Sequence, residues 1–233
     1  MPQPSSTDET STAPAHRWRA VVEIVLIFAV FFLHGAWPTP DVNENGYLVK
    51  AQHFWNPQAF HNDFFCNTAD AHAVYYWAFG WITNLGWSLA TAAWIGRGVT
   101  WFLLAIVWRK LSFTVLPKAW WAVLSAEFFV LLNEQAQMAG EWVIGGVEAK
   151  GFAYVLVLLA LTFLVRGKWN WIWPLAGAAT SLHAVVGGWS ILAFAGVWCL
   201  SAESRPKFQL MLPGLALGFA LALPGLYYIG QMN

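Results

Sequence analysis

The chain has 233 residues, 58% of them hydrophobic and 10% charged, and its formal net charge is zero. Soluble domains carry about 25% charged residues, so the composition excludes an ordinary soluble domain, and the lack of a basic excess excludes a nucleic-acid partner. The apolar runs are long and do not alternate as barrel strands would, so the expected fold class is all-α, a polytopic bundle of transmembrane helices with membrane lipid as solvent.

Residues 1–16 are rich in Ser, Thr and Pro, and 1–18 is expected to be a disordered cytoplasmic tail, with 19–233 forming the transmembrane domain. Arg17 and Arg19 precede an apolar run from Ala20 to Trp37. Glu23 interrupts it and no small-x-small cleavage site follows before Pro38, so it reads as an uncleaved first span whose start the arginines hold in the cytoplasm. The loop 38–88 is then external. It contains the longest polar stretch beyond the tail, Asp41 to Asp70. There Asn43 is placed to cap a short helix, with Glu44 in its first turn. Glu44, Tyr47, Leu48, Ala51, Phe54 and Trp55 recur at steps of three and four, which puts the Glu44 carboxylate on the face turned to the protein. Pro57 ends this helix, and the aromatic segment Ala71–Trp87 reads as an interfacial helix.

Six further spans are expected: Ser88–Trp108, Lys118–Gln137, Lys150–Val165, Trp171–His183, Val185–Leu200 and Phe208–Ile229, about seven in all, with Met138–Glu148 an external turn. Nine of the twelve Lys and Arg then fall at cytoplasmic ends, and Lys50, Arg97 and Lys150 do not. Seven of the twelve acids (Asp41, Glu44, Asp63, Asp70, Glu134, Glu141 and Glu148) fall outside, so the acidic chemistry gathers on one face. No internal repeat supports an inverted-repeat transporter. Many of the seventeen Trp sit near run ends, as interfacial anchors do, and Cys66 and Cys199 lie on opposite sides and should not pair.

Glu44 is the first candidate for chemistry, because a carboxylate desolvated at the membrane surface becomes a better base. The alternative is a helix-start residue held by the helix dipole. Glu148, at the outer start of a span, either orients a substrate or caps its helix and pairs with Lys150. Glu127, Glu134, Glu141 and Glu148 recur every seven residues, but Gly140, Gly145 and Gly146 should break any helix aligning them. Arg97 and Glu127 fall inside spans, where charge is costly, and a salt bridge between them is the favoured reading, with Arg97 as a phosphate clamp the other. His183 stands at a break that lines a cavity or joins two helices. His53, His61 and His72 add metal-ligating groups without a tight metal spacing.

The order of these features resembles the C-type membrane glycosyltransferase superfamily, which takes sugars from polyprenyl-phosphate carriers. The resemblance spans residues 19 to 230, with Asn43-Glu44-Asn-Gly-Tyr47 at the acidic motif, Tyr75-Tyr76-Trp77 in the interfacial helix, Arg97 in the second span and Glu148 at the fourth. The chain is also similar to a group of uncharacterised bacterial membrane proteins with a His-x-x-x-Gly-Gly motif, here His183 to Gly188. It departs from the superfamily where Asn43 replaces the usual first acid, and in stopping at Asn233, which suggests a C-terminally truncated product. The resemblance implies a transferase of the inner or plasma membrane, moving a hexosyl or pentosyl group on the external face. It further implies Glu44 as base, Glu148 or Asp63 orienting the acceptor or a divalent metal ion, Arg97 and Lys150 on the donor phosphate, and Tyr47 and His183 lining the cavity. The alternative is a non-catalytic multi-span protein, either a complex subunit or a permease-like carrier.

Overall fold

The computed structural model describes residues 12–41, 43–136, 143–203 and 205–232. Among them every regular element is a helix: α1 (Thr12–Gly35), α2 (Glu44–Trp55), α3 (Ala73–Phe79) running into a 3-10 turn (Gly80–Asn84), α4 (Leu89–Val115), α5 (Trp121–Ala136), α6 (Ala149–Val165), α7 (Trp169–Leu182), α8 (Ala184–Leu200) and α9 (Phe208–Gly230). α1 begins at Thr12, so the last part of the expected disordered tail is helix, and residues 1–11 lie outside the described residues. The first part of the expected external turn, 138–142 with Glu141 included, also lies outside them. α5 and α6 are separate helices, so the seven-residue spacing of acids produces no shared stripe.

Three of the described helices, Arg17–Gly35 of α1, α4 and α9, are long and apolar enough to cross a bilayer. Trp18 and Trp37, both exposed, flank the first of these at a separation of roughly 28 Å, close to a hydrocarbon core. α6 and α8 are apolar but shorter, and α7, at 14 residues, covers only about 21 Å. The seven expected segments each correspond to one helix, and length alone qualifies three of them as spans.

Side-chain contacts fix the direction of each helix. At one end of the bundle Glu23, near the start of α1, accepts hydrogen bonds from Arg109 Nε (3.0 Å) late in α4 and from the Trp120 backbone N (2.9 Å) ahead of α5. At the other end His34, closing α1, hydrogen-bonds Glu134 near the end of α5 (2.9 Å). α1 and α5 therefore run parallel, with α4 antiparallel between them. Their shared core is built on Phe31, Trp101, Leu104 and Ala126. Glu23 interrupts the apolar pattern because it joins three helices, and its carboxylate is fully buried.

α7 and α9 run parallel and nearly touch. A Cβ on Gly177 would fall 1.9 Å from the Gly218 carbonyl oxygen, so this crossing requires glycine. α9 carries Leu-Pro-Gly twice, at 212–214 and 223–225. At the first, Asn170 of α7 donates to the Leu210 carbonyl (2.8 Å) and accepts from Gly214 N (3.2 Å). At the second, Ser181 does the same with the Leu221 carbonyl and Gly225 N (3.1 Å). Each side chain bridges the two ends of one helical step beside a proline, where the backbone ladder is already weakened.

Candidate functional site

Of the acids and cations that the sequence places on one face, Glu44, Asp70 and Glu148 with Arg97, Lys50 and Lys150 lie where α2, the loop before α3, the start of α6 and the α7–α8 junction converge. The pairing there follows a simple rule. Each of the three cations that lie away from the basic ends has an acid partner: Arg97 with Glu44 (2.6 Å), Lys50 with Asp70 (2.9 Å) and Lys150 with Glu148 (3.2 Å).

Glu44 is on the inward stripe of α2 as expected, but its carboxylate is fully occupied. Oε1 accepts from Arg97 Nε (2.8 Å) and from Val147 N (2.8 Å), while Oε2 accepts from Arg97 Nη2 (2.6 Å) and from Asp41 N (3.0 Å). Arg97 spends its remaining arm on the Trp37 carbonyl (2.6 Å), and both side chains are 0% exposed. This bidentate pair ties α2 to α4 and to the segment ahead of α6. It leaves Glu44 no lone pair for an acceptor hydroxyl and Arg97 no open face for a phosphate. The favoured Arg97–Glu127 bridge does not form, because Glu127 sits on the exposed side of α5. Asn43 stands at the N-cap of α2 without a side-chain cap bond.

Asp63 lies apart on the exposed loop, where its Oδ1 accepts from Cys66 N (2.9 Å) and closes a turn. That backbone hydrogen bond holds its carboxyl below the usual value. Glu148 precedes α6, buried beside Lys150, and burial pushes its carboxyl up. Cys66 and Cys199 are both free.

The chemistry centres instead on Asp70 and His72. Asp70 Oδ1 accepts from the His72 ring Nδ1 (2.7 Å) and from His72 N (2.8 Å); Oδ2 accepts from Tyr76 OH (3.0 Å) and pairs with Lys50 (2.9 Å). Burial alone would raise Asp70, but these hydrogen bonds and the Lys50 charge outweigh it and hold the carboxyl well below the ordinary range. An ionised carboxylate only accepts, so the His72 ring carries a proton on Nδ1. Nε2 faces Tyr47 OH at 3.3 Å. Asn43, Gly46, Tyr47, Phe65, Asp70, His72 and Tyr76 line a cavity of about 480 Å³ above this pair.

His183 joins the same cluster from the α7–α8 junction, its ring 5.2 Å from that of His72. It caps α8 by accepting from Val186 N through Nδ1 (3.3 Å). Burial, with His72 and the Lys150 charge beside it, pushes its imidazole down to about 4. So the structure assembles Tyr47 and His183 around His72, keeps Glu44 with Arg97 and Glu148 with Lys150 as separate pairs, and leaves Asp63 outside. Sequence reasoning gave His72 only as one metal-ligating group and Asp70 only as one external acid. The signal available was Asp-x-His at the start of an aromatic helix, together with a lysine on the wrong side for the positive-inside rule.

The cluster does not read as a metal centre: among the described residues no group of three His, Cys, Asp or Glu side chains is arranged to hold an ion. Compared with known proteins, the chain matches no family model, no curated protein and no solved structure.

Proposed function

We propose that the chain is a membrane-embedded transferase that moves a sugar from a lipid-phosphate carrier to a hydroxyl acceptor on the external side of the inner or plasma membrane. In this reading α1 and α4 to α9 are the seven spans, the N-terminus is cytoplasmic, and loop 38–88 is external. The observation that carries it is the Asp70–His72 pair at 2.7 Å opening on a cavity walled by Tyr47, Phe65 and Tyr76. A histidine oriented by a clamped carboxylate is placed to act as a general base, and it takes the role first given to Glu44. Aromatic faces with a few fixed polar groups suit a hydroxylated ring. Lys150, whose charge reaches His183, is the cation this reading assigns to a leaving phosphate.

The second reading, a non-catalytic subunit or carrier, draws on one observation: Glu44 and Arg97 are spent entirely on the fold. The test is reconstitution in liposomes with radiolabelled polyprenyl-phosphate hexose or pentose. His72→Gln should lower transfer by about 10²–10⁴-fold while leaving the melting temperature near that of wild type. Equal turnover by the variant removes His72 as base, and no turnover by the wild-type protein favours the subunit or carrier.

A further inference from the structure

Carboxylates inside the bundle are matched with arginines. Glu23 and Glu44 are both 0% exposed, and both are met from α4, by Arg109 (3.0 Å) and Arg97 (2.6 Å). Glu127 of α5 breaks this pattern. It is exposed, and among the described residues it makes no ion pair and no hydrogen bond. All twelve Lys and Arg of the chain are described, and none reaches it.

The depth of Glu127 follows from α1, which is long and apolar enough to cross a bilayer. α1 and α5 run parallel and are tied near both ends, Glu23 to Trp120 N (2.9 Å) and His34 to Glu134 (2.9 Å). Glu127 lies halfway between these ties, level with Phe28 and Ala29 of α1. It therefore stands roughly 4 Å from the middle of the Arg17–Gly35 segment. The outer face of α5 around it is apolar, with Leu124, Phe128, Leu131 and Leu132 all exposed, while Ala122, Ala126 and Val130 pack inward. A carboxylate facing lipid at that depth is costly, and a polar contact with another helix offsets the cost.

We propose that the outer face of α5 docks a membrane-spanning helix of another protein that carries a lysine or arginine near its midpoint. The apolar side chains supply the packing surface and Glu127 the counter-charge. A second copy of this chain fits the face poorly. Two copies with one membrane orientation pair about an axis along the membrane normal, which sets Glu127 against Glu127 at one depth. The cations of a second copy do not replace that contact: Lys50, Arg97 and Lys150 are already paired, and the other nine sit near helix ends. Docking here requires α1 to cross the bilayer and requires no transferase activity.

The test uses the full chain, carrying a donor dye at its N-terminus, in phosphatidylcholine liposomes with acceptor-labelled single-span peptides of leucine and alanine. One peptide has a lysine at the centre of its span, a second has leucine there, and a third has the lysine within one turn of an end. Energy transfer should show the central-lysine peptide bound about 10-fold more tightly than the other two. Glu127→Leu should reduce that preference to below about 2-fold. With p-benzoylphenylalanine in place of Phe128, irradiation should crosslink the central-lysine peptide to α5. Should Glu127→Leu fail to fold, this crosslink decides.

Equal binding of the three peptides, an unchanged preference in folded Glu127→Leu protein, or no crosslink from position 128 overturns the proposal. Energy transfer between two labelled copies that Glu127→Leu abolishes, without a preference for lysine, overturns it in favour of a homodimer.

Discussion

Consider Glu44→Gln. The wild-type carboxylate accepts four hydrogen bonds, two of them from Arg97 and one each from Val147 N and Asp41 N. Glutamine keeps the volume but offers one acceptor oxygen, so its amide N–H₂ must face a donor, either an Arg97 arm or a backbone N–H. Arg97 is then a buried cation without a counter-charge. Breaking a buried pair from one side costs about 3–5 kcal/mol. For a chain of this size each kcal/mol moves the melting point by about 2–4 °C, so the variant should melt at least about 6 °C lower. The assay is thermal unfolding in detergent, followed by tryptophan fluorescence. Replacing both partners, Glu44→Leu with Arg97→Leu, should recover much of the loss, because no charge is stranded. A Glu44→Gln protein melting within about 2 °C of wild type would refute the view that this pair holds α2 to the bundle.

Two further outcomes follow from the geometry. His183 has a folded value of about 4 against an ordinary 6.5, so the native state binds fewer protons than the unfolded chain. Its contribution is complete above pH 6.5 and falls away as pH drops from there to about 4, while Glu148, raised by burial, acts in the opposite sense as pH rises. Melting curves of wild type and His183→Asn should therefore converge as pH falls through that window, and a constant gap would show that His183 is not held neutral. Asn170→Ala and Ser181→Ala should each cost about 1–3 kcal/mol by leaving backbone groups of α9 without their side-chain partners. The two sites lie about 16 Å apart along α7, so the double variant should lose the sum within about 0.5 kcal/mol, as read by denaturant or thermal unfolding.

Much of this arrangement was legible along the chain. The stripe on α2 correctly turned Glu44 inward, and the tally of charges against the positive-inside rule isolated Lys50, Arg97 and Lys150, each of which carries a buried or half-buried pair. The partners were harder to read. Counting depth from the cytoplasmic helix ends put Arg97 and Glu127 at similar levels, but depth leaves the direction around the helix axis open, and Glu127 points outward. The partner of Arg97 was instead 53 residues earlier, on a different helix. The Asp70–His72–Tyr47 line was illegible for a related reason. Tyr47 and His72 are 25 positions apart, and only the folding of the loop after α2 back over that helix brings them together. Glu23 looked like a flaw in an apolar run, because a residue that joins three helices has no local signature.

The doubled contact between α7 and α9 bears on motion. Asn170 and Ser181 are 11 residues apart, and so are the two Leu-Pro-Gly turns they grip. Eleven residues make close to three full helical turns, so both grips face the same way and engage in a single register. Sliding α9 along α7 by less than that repeat undoes both at once and drives the Gly177–Gly218 crossing into backbone. A piston stroke of α9 along α7 is thus opposed, and breathing is easier in the loop over α2, where a few side chains, not a glycine seam, hold the roof.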